Sequence, residues 1–307
     1  MSIQLSRIRV SLEDGLLSFP ITDMNDHGNF HPDTYAQRIA WFLQHGVSSV
    51  FVAGGTGEFF SLSMEEYTQI VKTACEVVKD NAPVISSVGR SIPEAIQFAK
   101  IAEKAGIHAL LLMPPYLTEC PPEGTYAYAK TIMDRTSLPV IYYNRSNGVL
   151  NAEYIKKLAD QCPNFIGLKD GTGNMADLND TIKTVGNRLS YIGGVPTAEI
   201  IAEAYLSIGV NTYSSAAFNF VPELANLFYK SLRQGDKATI NLILNTFYIP
   251  LVRLRSKKSG YAVSLIKAGA TIIGRSAGAV RAPLVMPSEQ EVAALKLIIE
   301  NGNALVS

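Results

Sequence analysis

Two polar side chains near the ends of apolar runs could together form and protonate an imine. Lys169 lies near the end of FIGLKD (165–170), and Tyr143 lies near the end of PVIYYN (139–144). Burial lowers the pKa of a lysine and leaves an uncharged amine that can attack a carbonyl carbon, while a nearby phenol can carry protons. The pair predicts covalent chemistry on a keto acid. The alternatives are a lysine that snorkels or pairs with Asp170, and a tyrosine that only packs in the core.

A glycine-rich loop, GGTGE (54–58), follows the second apolar run. Its spacing matches neither GxGxxG nor GxxxxGK, so it does not indicate a nucleotide site. The backbone N–H groups at Gly55 and Gly57, together with the Thr56 hydroxyl, could instead bind a carboxylate. The alternative is a plain turn between a strand and a helix.

Small polar residues end two later runs. Gly194 ends LSYIGG (189–194), and Ser214 and Ser215 end VNTYSS (210–215). We predict that all three contact a substrate, with close packing as the alternative. In a closed barrel the ends of the strands meet at one face, where active sites lie.

Short apolar runs bounded by Gly, Pro, Ser or Asn predict buried parallel strands, and amphipathic stretches between them predict helices. This alternation favours an α/β fold, a (β/α)8 TIM barrel. A doubly wound open sheet is the alternative, but it usually has a Gly-rich first turn, which is missing here. The predicted strands are 15–21, 48–54, 83–88, 108–114, 139–144, 165–170, 189–194 and 210–215.

The alternation stops after residue 235. We therefore expect a catalytic barrel over 1–235 and a C-terminal helical extension, packed on the barrel, over 236–307. Within the extension, Arg255, Lys257 and Lys258 are predicted to form a solvated helix face. The predicted helices are 236–256, 260–273 and 288–301.

Composition argues against several classes of protein. Lys plus Arg and Asp plus Glu each total 27, so the formal net charge is zero and no nucleic-acid partner is indicated. No apolar segment is long enough to span a bilayer, so no membrane partner is expected. A neutral chain repels its own copies only weakly, which makes a homo-oligomer, a dimer or a tetramer, a reasonable expectation.

The three cysteines and four histidines form no recognisable ligand pattern. No CxxC or HxH occurs, so neither a disulfide framework nor a metal site is predicted. No GxSxG elbow follows a predicted strand, which weakens a serine-hydrolase interpretation. The first residues lack the apolar run of a signal peptide, so we expect a reducing, cytoplasmic location.

Taken together, these motifs resemble the dihydrodipicolinate synthase/N-acetylneuraminate lyase superfamily. GGTGE after the second strand, YYN at the fifth and GLKD at the sixth occur in the order of that family, and the resemblance covers nearly the whole chain. It implies that Lys169 forms an imine with a 2-keto acid and that Tyr143 transfers protons. It also implies that Thr56, with neighbouring loop N–H groups, holds the keto-acid carboxylate.

Within the superfamily the chain departs from the synthase pattern. Gly55 replaces a Thr of the loop, Leu117 replaces a Tyr that crosses a subunit interface, and Gly148 replaces an Arg. The resemblance is instead to the 5-dehydro-4-deoxyglucarate dehydratase subfamily, which implies conversion of a keto-diacid to 2,5-dioxopentanoate with loss of water and carbon dioxide. One imine serves both bond cleavages, so no cofactor is expected. The runs that carry this resemblance are AGGTGEFFSL, LLMPPYLTE, YYNRSN, GLKDGTGN, GGVPTAE, YSSAAFNF and GYAVSLIKAGA.

The distal end of such a diacid carries hydroxyls and the carboxylate that leaves. Arg145, Asn147, Ser214 and Ser215 are our candidates to hold it. A tight salt bridge to the leaving carboxylate would stabilise the ground state and oppose its loss. We therefore expect mainly hydroxyl and amide contacts there, with Arg145 alternatively facing a subunit interface.

Two rival functions use the same residues. A class I aldolase, or a condensing enzyme resembling dihydrodipicolinate synthase, would act on pyruvate or a 2-keto-3-deoxy sugar acid through the same imine. A barrel that binds keto acids without turnover is the second rival, although a binder has no need for an amine beside a phenol. Release of carbon dioxide from the keto-diacid separates the dehydratase from both.

Overall fold

The predicted apolar runs form the strands of a closed parallel barrel, in a computed structural model that describes residues 2–116 and 119–306. Each strand pairs with the next in the sequence, and the last pairs with the first. This closure confirms the (β/α)8 prediction. Leu117 lies outside the described residues. The strands are β1 Leu17–Ser18, β2 Ser49–Val52, β3 Val84–Val88, β4 Ala109–Leu112, β5 Val140–Asn144, β6 Phe165–Asp170, β7 Ser190–Gly193 and β8 Thr212–Ser215.

Helices follow the strands, and local capping explains where several of them begin. Ser63 and Ser91 each accept a hydrogen bond from the backbone N–H three residues later. The carboxylate of the glutamate at that position accepts one from the backbone N–H of the serine. Such reciprocal caps satisfy N–H groups that a helix leaves unpaired. The barrel helices are α2 Pro32–Gln44, α3 Met64–Val78, α4 Ile92–Ala105, α5 Pro122–Met133, α6 Ala152–Gln161, α7 Met175–Val185, α8 Ala202–Ser207 and α9 Pro222–Gln234.

A helix that the sequence did not predict, α1 Ser2–Glu13, closes the N-terminal end of the barrel. Ile8 and Leu12, one turn apart, are buried in the same cluster as the side chains that fill the barrel. Glu13 accepts a hydrogen bond from Ser190 Oγ (2.6 Å), at the start of β7. With this end sealed, the cavity of the barrel opens at the carboxyl ends of the strands, where Lys169 lies.

The C-terminal helices follow the prediction except for one interruption. The first predicted helix, 236–256, is divided by a π-helical turn at Leu244–Tyr248. The last of these helices packs closely against the barrel layer at Gly302. A Cβ at this position would lie 2.8 Å from Cδ2 of Leu224. The division of the chain at residue 235 stays a prediction. These helices are α10 Lys237–Ile243, α11 Ile249–Arg255, α12 Tyr261–Ile272 and α13 Glu289–Asn303. Among the described residues, no helix combines the length and apolarity needed to cross a membrane.

Candidate active site

Lys169 points into the barrel from β6 and is 4% exposed. Its neighbours across the sheet are Tyr143 on β5 and Ile192 on β7. The side-chain nitrogen Nζ lies 3.8 Å from the ring centroid of Tyr143 and 4.6 Å from that of Phe19. Burial lowers the pKa of Lys169, and the Tyr143 hydroxyl opposes that shift only in part. The surroundings therefore favour the uncharged, nucleophilic amine.

Tyr143 is held by two hydrogen bonds at its hydroxyl. The hydroxyl donates to the carbonyl oxygen of Gly194 (2.8 Å) and accepts from Nη1 of Arg145 (3.0 Å). Burial raises the pKa of Tyr143, but the positive charges of Lys169 and Arg145 outweigh burial and bring the pKa below its ordinary value. A phenol whose proton is easier to remove is suited to proton transfer beside the amine.

Asp170 is not the partner of Lys169, so that alternative is wrong. Successive side chains of a strand point to opposite faces, and Asp170 points outward, where its carboxylate accepts hydrogen bonds from Tyr205 Oη (2.6 Å) and Thr172 Oγ1 (2.7 Å). The snorkelling alternative also fails, because Lys169 is buried rather than extended to solvent. The aspartate instead fixes the loop after β6.

The carboxyl ends of the strands surround a cavity of about 500 Å³ above Lys169. Most of the predicted site residues line this cavity. It is large enough for a six-carbon acid, since small-molecule sites typically measure roughly 300–1,000 Å³. The predicted residues that line it are Gly55, Thr56, Tyr143, Arg145, Asn147, Lys169, Gly194 and Ser214.

Two predicted contacts, Gly57 and Ser215, are not among the residues that line the cavity. The Gly57 carbonyl accepts a hydrogen bond from Thr22 Oγ1 (2.6 Å). Ser215 is fully buried and donates to Oε1 of Glu199 (2.6 Å). Because strand residues alternate, Ser214 faces the cavity and Ser215 faces the helices. We correct both predictions: each residue supports the walls of the site rather than touching its contents.

Gly194 lies against Lys169 so closely that no larger residue fits. A Cβ at this position would lie 2.6 Å from Lys169 Cγ and 2.5 Å from the carbonyl oxygen of Asp170. The glycine thus permits the backbone of the β7 loop to approach the lysine stem, and its carbonyl oxygen accepts the hydrogen bond from the Tyr143 hydroxyl. Both candidate interpretations of Gly194, close packing and contact with the cavity, apply.

The segment after β5 forms another wall. Asn147 Nδ2 donates to the carbonyl oxygen of Pro115 (2.5 Å), so this amide also fixes the neighbouring loop. Gly148 is buried, and a Cβ there would lie 2.9 Å from Pro114 Cβ. An arginine of the synthase type therefore has no room at this position. The guanidinium of this wall comes from Arg145 instead.

Arg255 also lines the cavity, although the sequence predicted it on a solvated helix face. Lys257 and Lys258 are exposed as predicted, but Arg255 is half-buried and lines the cavity. Its Nη1 donates a hydrogen bond to Thr197 Oγ1, and Thr197 also lines the cavity. A run of basic residues gives no sign of which member points inward, so the sequence alone could not separate Arg255 from its neighbours.

A buried ion pair fixes the glycine loop beneath the C-terminal helices. Glu58, the last residue of GGTGE, has a left-handed backbone (φ 58°) and no solvent exposure. Its Oε1 lies 2.8 Å from Nζ of Lys267 on α12, and its Oε2 accepts a hydrogen bond from the backbone N–H of Arg281 (2.9 Å). The loop and α12 are thus locked together, and Tyr261 at the start of α12 lines the cavity.

Comparison with known proteins agrees with this architecture. The sequence model of the dihydrodipicolinate synthetase family matches residues 13–301. Among solved structures, dihydrodipicolinate synthase from Oceanobacillus iheyensis superposes with a TM-score of 0.89 at 23% identity and covers 98% of this chain and 99% of that chain. At that identity the likeness concerns the fold.

Curated relatives are considerably more similar in sequence. A protein of Allorhizobium ampelinum named "Probable 5-dehydro-4-deoxyglucarate dehydratase" is 48% identical over 295 residues, which cover 96% of this chain and 98% of the relative. Proteins with the same name from Acinetobacter baumannii and Rhodococcus jostii are each 47% identical. They match over 273 and 289 residues, covering 89% and 94% of this chain and 90% and 95% of the relatives.

Proposed function

The chain belongs to the dihydrodipicolinate synthetase family, and from this premise we propose that it is a 5-dehydro-4-deoxyglucarate dehydratase, a decarboxylating hydro-lyase. The observation that carries the proposal is the buried amine of Lys169, 3.8 Å from the Tyr143 ring centroid. Relatives named for this activity at 47–48% identity supply the substrate. The reaction yields 2,5-dioxopentanoate, water and carbon dioxide and belongs to sugar-diacid catabolism.

Binding begins with the keto-acid end of the substrate. Thr56 and Gly55 line the cavity and offer a hydroxyl and a backbone N–H to the C6 carboxylate. This orientation brings the C5 ketone to Nζ of Lys169. The uncharged amine attacks C5, and Tyr143 assists the loss of water from the carbinolamine, which leaves a protonated imine.

Dehydration follows from the electron demand of that imine. The positive nitrogen acidifies the C4–H bond, and a base, for which Tyr143 is our candidate, removes the proton to give an enamine. The enamine electrons then expel the C3 hydroxyl, which leaves as water after protonation. The product is an iminium conjugated with the new C3–C4 double bond.

The same nitrogen accepts the electrons of decarboxylation. The C1–C2 bond breaks, its electron pair moves through C2, C3 and C4 to the iminium nitrogen, and C1 leaves as carbon dioxide. The remaining dienamine carries an enol at C2, which tautomerises to an aldehyde. Hydrolysis of the imine then releases 2,5-dioxopentanoate and restores Lys169, so the chemistry requires no cofactor.

An assay with purified protein and 5-dehydro-4-deoxyglucarate tests this proposal. We expect carbon dioxide and 2,5-dioxopentanoate in equal amounts. Release of pyruvate and an aldehyde from a keto-deoxy sugar acid, without carbon dioxide, would instead identify an aldolase. Tight, reversible binding with neither product would identify a binding module.

We further propose that the protein is a cytoplasmic homo-oligomer, a dimer or a tetramer, with the keto-diacid as its small-molecule partner. The zero net charge supports association, and the cysteines, all free, suit a reducing compartment. Sedimentation analysis would settle the assembly, and a single species of monomer mass would contradict it.

A further inference from the structure

The end of the cavity beyond Gly194 is built from two elements that the mechanism above does not use. The loop after β7 leads to Thr197, which has a left-handed backbone (φ 55°, ψ 58°). Arg255 reaches Thr197 from α11 and donates a hydrogen bond to its hydroxyl. Leu251 and Arg255, one turn apart, both line the cavity, whereas Arg253 between them is exposed.

The charges on the cavity wall are unbalanced. Among the described residues that line it, no side chain is acidic, yet Arg145 and Arg255 are both present. Arg145 is engaged by the Tyr143 hydroxyl. For Arg255, burial lowers the pKa, the carboxyl of Glu199 raises it, and the like charge of Arg145 lowers it again.

Glu199 is the acidic residue whose charge acts on Arg255, but it cannot fully neutralise the guanidinium. Glu199 is buried behind the wall, where Oε1 accepts from Ser215 and Oε2 has no hydrogen-bond partner. Burial raises the pKa of Glu199 to about 7, so a substantial fraction of this carboxyl is uncharged at neutral pH. The cavity therefore retains positive charge at the end where Arg255 lies.

We infer that Arg255, oriented by Thr197, binds the distal carboxylate of the substrate and selects six-carbon keto-diacids over keto-monoacids. The inference rests on the proposed function and names a recognition residue for that same site. A guanidinium offers several N–H donors in a plane, which matches a carboxylate better than a hydroxymethyl group. A monoacid would leave these donors without an anion.

Such a contact is compatible with decarboxylation because Arg255 is only half-buried. Water near the guanidinium weakens the pairing, so the ground state is not strongly stabilised. When the C1–C2 bond breaks, the electron pair goes to the iminium nitrogen and carbon dioxide leaves uncharged. Arg255 then keeps its hydrogen bond to Thr197, and the contact chiefly orients the bond that breaks.

The test compares Arg255→Met with Arg253→Met, a control that removes the same charge from the exposed side of the same helix. Substrates are the keto-diacid and the 2-keto-3-deoxy monoacid that carries a hydroxymethyl group in place of the distal carboxylate. For Arg255→Met we expect kcat/KM toward the diacid to fall roughly ten- to a hundred-fold, the effect of losing a charged hydrogen bond. Arg253→Met should retain the wild-type preference.

A second measurement separates recognition from damage to the imine site. Borohydride trapping of pyruvate on Lys169 needs no distal group, so its rate should be unchanged in Arg255→Met. An unchanged diacid preference in Arg255→Met, with normal turnover, would overturn the inference and leave the proposed function intact. If the wild-type enzyme did not dehydrate the diacid at all, the proposed function itself would fail.

Discussion

Glu58 and Lys267 form an ion pair of 2.8 Å in which neither side chain is exposed to solvent. The pair joins the end of the GGTGE loop to α12, two segments that are more than two hundred residues apart in the sequence. Lys267 also donates to the carbonyl oxygen of Ala279 (2.9 Å). Replacing one partner of such a buried pair by an uncharged residue lowers the stability of the fold, because the remaining charge stays buried without a counter-ion.

Lys267→Met should therefore destabilise the protein by roughly 3–5 kcal/mol. The measurement is the free energy of unfolding in urea. Lys296→Met is the matched control, because Lys296 is a lysine of α13 that is 63% exposed, and its effect should be close to zero. Adding Glu58→Gln to Lys267→Met should recover part of the loss. Equal stability of Lys267→Met and the wild type would contradict this role of the pair.

Arg145→Met should shift the pH dependence of imine formation to higher pH. The positive charge of Arg145 lowers the pKa of both Tyr143 and Lys169, so its removal raises both. Since only the uncharged amine attacks, the rate of borohydride trapping with pyruvate should then reach its plateau at a higher pH than in the wild type. Trapping at neutral pH should be slower for the same reason. A profile that does not move, or that moves to lower pH, would exclude Arg145 from the electrostatics of the lysine.

Glu199→Gln should change how stability depends on pH. Burial raises the pKa of Glu199 to about 7 in the folded protein, against 4.5 for an ordinary glutamate. Between these values the folded state holds a proton that the unfolded state has released, so wild-type stability falls as the pH rises through this window. The variant does not titrate.

The comparison is the free energy of unfolding of the wild type minus that of Glu199→Gln, measured at several pH values. This difference should decrease by about 3 kcal/mol between pH 4.5 and pH 7.5, from 1.36 kcal/mol per pH unit of pKa difference. Above that window it should be constant. A difference that is flat throughout would mean that Glu199 is not held in an environment that favours its protonated form.

The strands, and the positions of Lys169 and Tyr143 near the ends of two of them, could be predicted from sequence because each depends on a local pattern. Apolar runs of the right length mark buried parallel strands, and in FIGLKD the lysine stands out as the residue that is costly to bury. The order of the motifs then matched a family. Nothing in this inference required knowledge of which side chains meet in space.

Whether the other site residues reach the cavity depends on the direction in which each side chain points, and a short sequence pattern does not determine that direction. Ser214 and Ser215 are identical neighbours, and only the pleat of β8 directs the first to the cavity and the second to Glu199. Arg255 reaches the cavity through the path of the chain after the π-helical turn at Leu244–Tyr248. Helix α1 was missed because Ile8 and Leu12 become buried only once the floor of the barrel exists.

The central claim is the covalent role of Lys169, and the most direct test is mass spectrometry of the protein after borohydride treatment in the presence of the keto-diacid. We predict a single reduced adduct on the peptide that contains Lys169. Lys169→Arg should show neither adduct nor turnover, because a guanidinium stays charged. An adduct located elsewhere, or turnover that survives in Lys169→Arg, would contradict the mechanism.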